Sequence, residues 1–267
     1  MEHSATQIIE RGSMPERMGF SKSQLGGHRA RSIMSKELAL LFSAFPEDAP
    51  PAAYREAVVN LNVLGKRTAS NRKYSYECLK DFYALDPSVP LFRGLRRIWK
   101  NASDGHALLA FQAAYARDSI VRQTASLVLS KKPGMSHSRA EMELTIREQT
   151  GSKYSDTMVC SLAKNLNSSW TQAGYLAGRG IKKRIEPDIQ QHHVAFALFI
   201  AHLDGWRGLS MFDTPWLRLL DRPKDELLRL AEGASRSGII RMMASGGVIE
   251  IRFPGWLTIE EEALLYG

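Results

Sequence analysis

Hydrophobic residues recur along this chain at spacings of three and four positions, which is the period of an α-helix with one buried face. A first helix is predicted from near His28 to Phe45, where Pro46 ends it. Further helices are predicted from Ala52 to Leu64, from Ala69 to Leu85 and from Leu91 to Lys100. The first hundred residues therefore predict a mainly α-helical fold.

The same period continues through most of the second half of the chain. Helices are predicted at 106–130, with a break at Asp118-Ser119, and then at 138–150 and 155–173. Near the end, β-branched residues in the segments 239–243 and 248–253 flank a glycine turn. This pattern predicts one C-terminal β-hairpin.

A polar, glycine- and proline-containing segment divides the pattern at Lys131 to Met135. We therefore expect a flexible N-terminal arm at 1–25, a helical domain with a helix-turn-helix at 26–132, and a second helical domain at 133–267. In the second domain, two predicted helices are followed by a short basic hairpin near 175–185, which is the order of a winged helix.

The segment Asn62 to Lys73 is typical of a helix-turn-helix. One predicted helix ends at Gly65, and the next begins after a short basic segment. Such a turn places the start of the second helix where it can enter the major groove of DNA. Cations suit phosphates, and Asn and Arg suit base edges. The predicted DNA-binding residues here are Lys66, Arg67, Thr68, Ser70, Asn71, Arg72 and Lys73.

The charge of the chain supports a polyanionic partner. The net charge is +8 and the isoelectric point is about 9.5. Nine cations and three anions lie between Leu64 and Asn101, so most of the excess is concentrated there. Arg96 and Arg97 extend the first predicted site. A second predicted site comprises Ser169, Arg179, Lys182, Lys183 and Arg184.

Other classes of protein fit the sequence less well. The two cysteines, Cys78 and Cys160, are isolated, which favours a reducing compartment. No apolar signal region begins the chain, and the longest apolar run, 194–203, is shorter than the ~20 residues of a membrane helix. We expect a cytoplasmic protein.

Two patterns suggest metal chemistry but fail on geometry. Pro187-Asp188 and Glu250 to Arg252 loosely resemble a metal-dependent nuclease, but an arginine replaces the lysine and the intervening region is predicted to be helical. His192 and His193 are adjacent and therefore point to different sides of a helix. We expect no catalysis, no metal and no cofactor.

Three segments resemble the BrxA family of the BREX bacterial phage-defence systems. They are Gly26-Gly27, Asn62 to Thr68 with Arg72-Lys73, and Ser168 to Gly174. The similarity extends from about Gly26 to Arg184. It implies a mostly helical, two-domain protein that binds double-stranded DNA without known catalysis. It also implies neighbouring defence proteins as partners, namely a methyltransferase and a PglZ-type protein.

A basic surface is compatible with two other functions. The chain could be an interaction module that docks an acidic protein of a defence complex, and salt-sensitive binding to that protein without DNA binding would identify it. It could also bind RNA, in which case exposed aromatic side chains would stack on bases. Trp99 and Trp170 lie at core spacing, however, so we expect them inside the protein.

Overall fold

The computed structural model describes residues 14–21, 26–102 and 104–266. These residues are mainly helical, as the hydrophobic pattern predicts, and they contain two small antiparallel sheets. Much of the predicted arm, residues 1–25, lies outside the described residues. Where that segment is described, Met18 is buried, so this part packs against the body of the protein.

From Ala69 onward, the helices of the first half begin and end close to the predicted positions. They are α1 (Met14–Met18), α2 (Ser35–Ala44), α3 (Pro51–Arg55), α4 (Ala69–Tyr83), α5 (Pro90–Asn101), α6 (His106–Arg117) and α7 (Ser119–Leu129). A proline at the first helical position begins α3 and α5, where its missing N–H costs nothing. The predicted break at Asp118-Ser119 is confirmed between α6 and α7.

The second half adds both sheets. Its elements are β1 (Ser136–His137), α8 (Arg139–Thr150), α9 (Asp156–Gln172), β2 (Leu176–Ala177), β3 (Lys182–Arg184), α10 (Gln191–Leu203), α11 (Pro215–Arg218), α12 (Lys224–Arg236), β4 (Arg241–Ser245), β5 (Val248–Arg252) and α13 (Ile259–Tyr266). In the first sheet, β3 pairs antiparallel with β1 and with β2. The predicted C-terminal hairpin is confirmed as β4–β5, with Arg241 opposite Arg252 and Ser245 opposite Val248.

The hydrophobic core continues across the predicted domain boundary. Buried side chains from both sides of the loop at 131–135 form one cluster. Helix α10 packs against α5 and α6, and no space remains for a Cβ atom at Gly94 because the ring of Phe199 occupies it. The loop therefore does not interrupt the core.

The connection between α3 and α4 differs from the predicted tight turn. The helix is predicted to reach Leu64, but it ends in a π-helical turn at Glu56–Asn60. The segment 61–68 then leads to α4, which is longer than the ~3–4 residues of a helix-turn-helix turn. Asn62 and Gly65 have positive φ angles of 52° and 63°, and these conformations end the helix early.

The segment before α2 is irregular, although the sequence predicts a helix from near His28. Only Gly27–Arg29 form a 3₁₀ turn, and Met34 adopts a left-handed conformation with φ of 50°. This conformation prevents the helix from extending backwards past Ser35. Long-range polar contacts hold the segment in place instead.

Three buried residues provide the central contact, which we call the His28 clasp: His28, Asp118 and Ser169. Nδ1 of His28 donates to Oδ2 of Asp118 at 2.8 Å, and the backbone N–H of His28 donates to the same oxygen at 3.1 Å. Nε2 of His28 lies 2.9 Å from Oγ of Ser169. That hydroxyl also accepts from the backbone N–H of Ile33 at 3.0 Å. The clasp therefore ties the segment 26–34 to α9 and to the start of α7.

Two glycines permit this close approach. A Cβ atom at Gly26 would overlap the carboxylate of Asp118, and one at Gly27 would overlap the ring of Phe82. Both glycines have to remain without a side chain for the clasp to close.

Burial by itself would raise the pKa of Asp118, but the charge and hydrogen bonds of His28 outweigh it and lower that pKa. The ionised carboxylate therefore stabilises the fold above about pH 4, the ordinary range of an aspartate. This stabilisation is lost as the pH falls below that value, through the lowered pKa of the folded state.

Replacing Asp118 tests the clasp. We expect Asp118→Asn to lower the free energy of unfolding at pH 7 by about 3 kcal/mol, because it removes the charged partner of a buried histidine. The difference from the wild type should shrink below about pH 4. Guanidinium denaturation at several pH values measures both effects. The control is Asp156→Asn at an exposed ion pair, with a change within about 0.5 kcal/mol. Equal stability of the two variants would refute the role of the clasp.

Candidate nucleic-acid interface

A groove, which we call the basic groove, crosses the surface beside α4, α9 and the loop between β2 and β3. Two depressions form it, with volumes of about 490 and 310 Å³, and both are lined by Gln172. One carboxylate, that of Glu37, lies among the lining residues. The cations that line the groove are Arg31, Lys36, Lys66, Arg139, Lys164 and Lys182. Its surface is therefore strongly positive.

Gln172 joins the two depressions through hydrogen bonds. Its Nε2 donates to Oγ of Ser32 at 2.9 Å and to Oγ of Ser168 at 3.2 Å, and its Oε1 accepts from Oγ of Ser35 at 2.9 Å. The amide thus connects the end of α9 to the segment that precedes α2. Because both its amide oxygen and its amide nitrogen have partners, Gln172 holds the two sides of the groove together and does not present a free polar group.

Helix α9 lines the groove with its C-terminal half, from Lys164 to Gln172. Its apolar side chains, including those of Leu162, Leu166 and Trp170, face the core. Polar residues recur on the other side at steps of three and four: Thr157, Ser161, Lys164 and Ser168. The helix therefore presents a polar stripe with a lysine near its centre.

The first predicted site is accessible at the start of α4, as the sequence suggests. Thr68 caps this helix by accepting from the backbone N–H of Asn71 at 3.1 Å. Lys66 is half-buried and donates to Oε1 of Glu37 at 2.9 Å, so its charge is partly compensated. Arg72 is also half-buried. The exposed members of this site are Arg67, Thr68, Ser70 and Lys73.

The structure corrects one of the two predicted anchors on α5. Arg96 is 5% exposed, and its guanidinium donates to the carbonyls of Phe42 at 3.1 Å and of Phe45 at 2.6 Å. It satisfies carbonyls that the end of α2 leaves free, and it also stacks over the ring of Phe42. Arg97 is exposed, but it donates to the carbonyls of Pro254 and Gly255. Arg96 therefore supports the fold and is too buried to contact DNA, whereas the predicted role of exposed Arg97 stays a prediction.

The second predicted site also contains both buried residues and surface residues. Ser169 and Arg184 are both 0% exposed, so neither can contact DNA. Arg184 donates to the Val128 carbonyl at 3.1 Å and forms an ion pair with Asp221. The members that remain on the surface are Arg179, Lys182 and Lys183, of which Lys182 lines the basic groove.

Four cations of the groove were not among the predicted site residues: Arg31, Lys36, Arg139 and Lys164. Lys164 could have been found, because it lies on the polar stripe of α9 at helical spacing. Arg31 and Lys36 come close to α4 through long-range contacts of the segment 28–34, which include the His28 clasp and the bond from the Tyr83 hydroxyl to the Ile33 carbonyl. Arg139 joins the groove through the packing of α8 on α9. No local pattern in the sequence signals those contacts.

The His28 clasp has the composition of a Ser-His-Asp catalytic triad, but its setting excludes that chemistry in the folded protein. All three side chains are at most 1% exposed. The Ser169 hydroxyl donates to the carbonyl of Asn165 at 2.9 Å and so has no free path to a substrate. The geometry serves to fasten the segment 26–34.

Among the residues that the structure describes, no group of three or more His, Cys, Asp or Glu side chains could hold a metal ion. None of the described helices is long and apolar enough to cross a membrane. No protein-family model, curated protein or solved structure matches this chain. The resemblance to the BrxA family stays a prediction.

The structural role of Arg96 can be measured. We expect Arg96→Ala to lower the free energy of unfolding by about 2–3 kcal/mol, because two charged hydrogen bonds and buried packing are lost. Lys100→Ala, one turn further along α5 at a well-exposed ion pair, is the control and should stay within about 0.5 kcal/mol. Denaturation midpoints compare the two variants. Equal stability of Arg96→Ala and the control would contradict the structural role of this arginine.

Proposed function

We propose that this protein binds double-stranded DNA through the basic groove. The observation that carries the proposal is the convergence of two basic segments that lie far apart in the sequence. Lys66 and Asn71 line one depression of the groove, Lys182 lines the other, and Gln172 belongs to both. A single duplex could contact both segments at once.

The balance of charge suits phosphates. Six cations and one carboxylate line the groove, and that carboxylate already pairs with Lys66. Exposed cations beyond the lining, at Arg67, Lys73, Arg179 and Lys183, extend the positive surface. Each phosphate that these side chains neutralise releases condensed counterions, which favours association at low salt.

The arrangement around α9 supports a specific way of docking. Helix α7, strand β1, helices α8 and α9, and the β2–β3 hairpin follow each other in the order of a winged helix. We assign α9 the role of the recognition helix, with its polar stripe toward the major groove, and the loop 178–181 the role of the wing. The stripe begins at Thr157, in the first turn of α9, where recognition helices make many of their contacts.

The start of α4 adds a second contact. Its first turn exposes Ser70 and follows the exposed Arg67, and the N-terminal end of a helix carries a partial positive charge. Phosphate groups bind at such positions through backbone N–H groups. In this proposal the first turn of α4 adds phosphate contacts to those made around α9.

The resemblance to the BrxA family supports a biological setting for this activity. We propose that the protein is a non-enzymatic accessory of a bacterial phage-defence system of the BREX type, with a methyltransferase and a PglZ-type protein as neighbours. Co-purification of those proteins with the tagged chain from a host that carries the whole system would test the assignment. Purification of the chain without them would contradict it.

The direct test is a titration of a fluorescent duplex at several salt concentrations. We expect the triple variant Lys36→Ala, Lys164→Ala, Lys182→Ala to bind at least tenfold more weakly. The logarithmic salt slope should fall by roughly three, because each lost phosphate contact lowers it by about one.

The matched control removes three cations from another surface, in Lys224→Ala, Arg229→Ala, Arg236→Ala on α12. These side chains are 40%, 72% and 75% exposed and pair with acidic neighbours. The control has the same net charge as the groove variant. Equal losses in the two variants would show that the attraction is general and that the groove is not the site.

A further inference from the structure

Arg31 and Asn71 form a connected polar edge in the basic groove. Nη2 of Arg31 donates to Oδ1 of Asn71 at 2.8 Å, although the two residues are 40 positions apart in the sequence. Both side chains are partly exposed and both line the larger depression. Their outward atoms are therefore available to a ligand in the groove.

The chemistry of arginine fixes the orientation of the Asn71 amide. A guanidinium has five N–H donors and no acceptor, so only the amide oxygen can face it. The Nδ2 group of Asn71 is consequently directed away from Arg31. The edge thus offers the two N–H donors of Asn71 together with the remaining N–H donors of Arg31.

This edge is held in place before any ligand arrives. Arg31 lies between two anchored residues, because His28 belongs to the clasp and the N–H of Ile33 donates to Ser169. The guanidinium also lies over the ring of Tyr74, with 5.5 Å from Cζ to the ring centroid. Asn71 and Tyr74 are three residues apart on α4 and so share one face of the helix.

We propose that the Arg31–Asn71 edge reads guanine in the major groove, an inference that rests on the proposed function. Guanine alone presents two neighbouring acceptors there, N7 and O6. Adenine presents an acceptor beside a donor, cytosine presents a donor, and thymine presents one acceptor beside a methyl group. An edge made of donors matches guanine and leaves a donor facing a donor at adenine and cytosine.

The experiment begins with a random pool of duplexes from which the wild-type protein selects its tightest ligands. Guanine is expected at one or more fixed positions of the selected duplexes. The selected sequence is then made again with 7-deazaguanine, which lacks the N7 acceptor but keeps the charge and the base pairing. We expect the wild type to bind this duplex about tenfold more weakly.

Two controls separate base reading from general binding. A duplex with 7-deazaadenine loses the N7 acceptor of adenine and should bind the wild type as well as the unmodified duplex does. The variant Arg31→Lys keeps the positive charge but loses the planar donor group, so its salt slope should stay the same while its guanine preference disappears. Asn71→Ala should likewise bind both guanine duplexes equally.

Each outcome has a distinct meaning. A tenfold loss with 7-deazaguanine that is absent in both variants supports the proposal. Salt-dependent duplex binding without guanine enrichment, or with equal affinity for the deaza duplex, refutes guanine reading while the proposed function stands. If the wild type binds no duplex at any salt concentration, both the proposed function and this inference are wrong.

Discussion

The arrangement of this protein depends on the buried hydrogen bonds among His28, Asp118 and Ser169. They join three parts of the chain that are 90 and 141 positions apart, and their burial makes an unpaired member costly. Because the clasp fixes the segment 26–34, it determines where Arg31 meets α4. The shape of the groove therefore depends on a contact that is itself buried.

Much of the fold follows from the sequence because helical periodicity is a local signal. The helices from Ser35 to Leu129, the break at Asp118 and the C-terminal hairpin lie close to where the pattern predicts them. The connection after Asn60 does not, because Asn62 and Gly65 adopt positive φ angles that the hydrophobic pattern does not reveal. The predicted site residues that remain on the surface lie at the start of α4, at Arg97 and in the segment 179–183, and their role in DNA binding stays a prediction.

Arginine shows why the remainder of the site could not be predicted. Arg96 and Arg97 are neighbours in the sequence, yet one is buried against the end of α2 and the other holds the loop at 254–255. Arg184 likewise bonds to carbonyl groups inside the protein, whereas Lys183 next to it is exposed. Charge counts along the chain cannot separate these roles, because the partners come from distant segments. The basic residues that are accessible to a ligand are those that the fold does not bury against internal carbonyl groups.

We propose that one groove, built from the start of α4, helix α9 and the β2–β3 loop, receives a DNA duplex. Amide hydrogen exchange of the protein with and without a saturating duplex tests it most directly, because it surveys the whole backbone at once. We expect slower exchange on binding at 31–37, 66–73, 157–172 and 178–183, and no change in the hairpin at 241–252. Protection confined to the hairpin, or to the exposed face of α12, would contradict it.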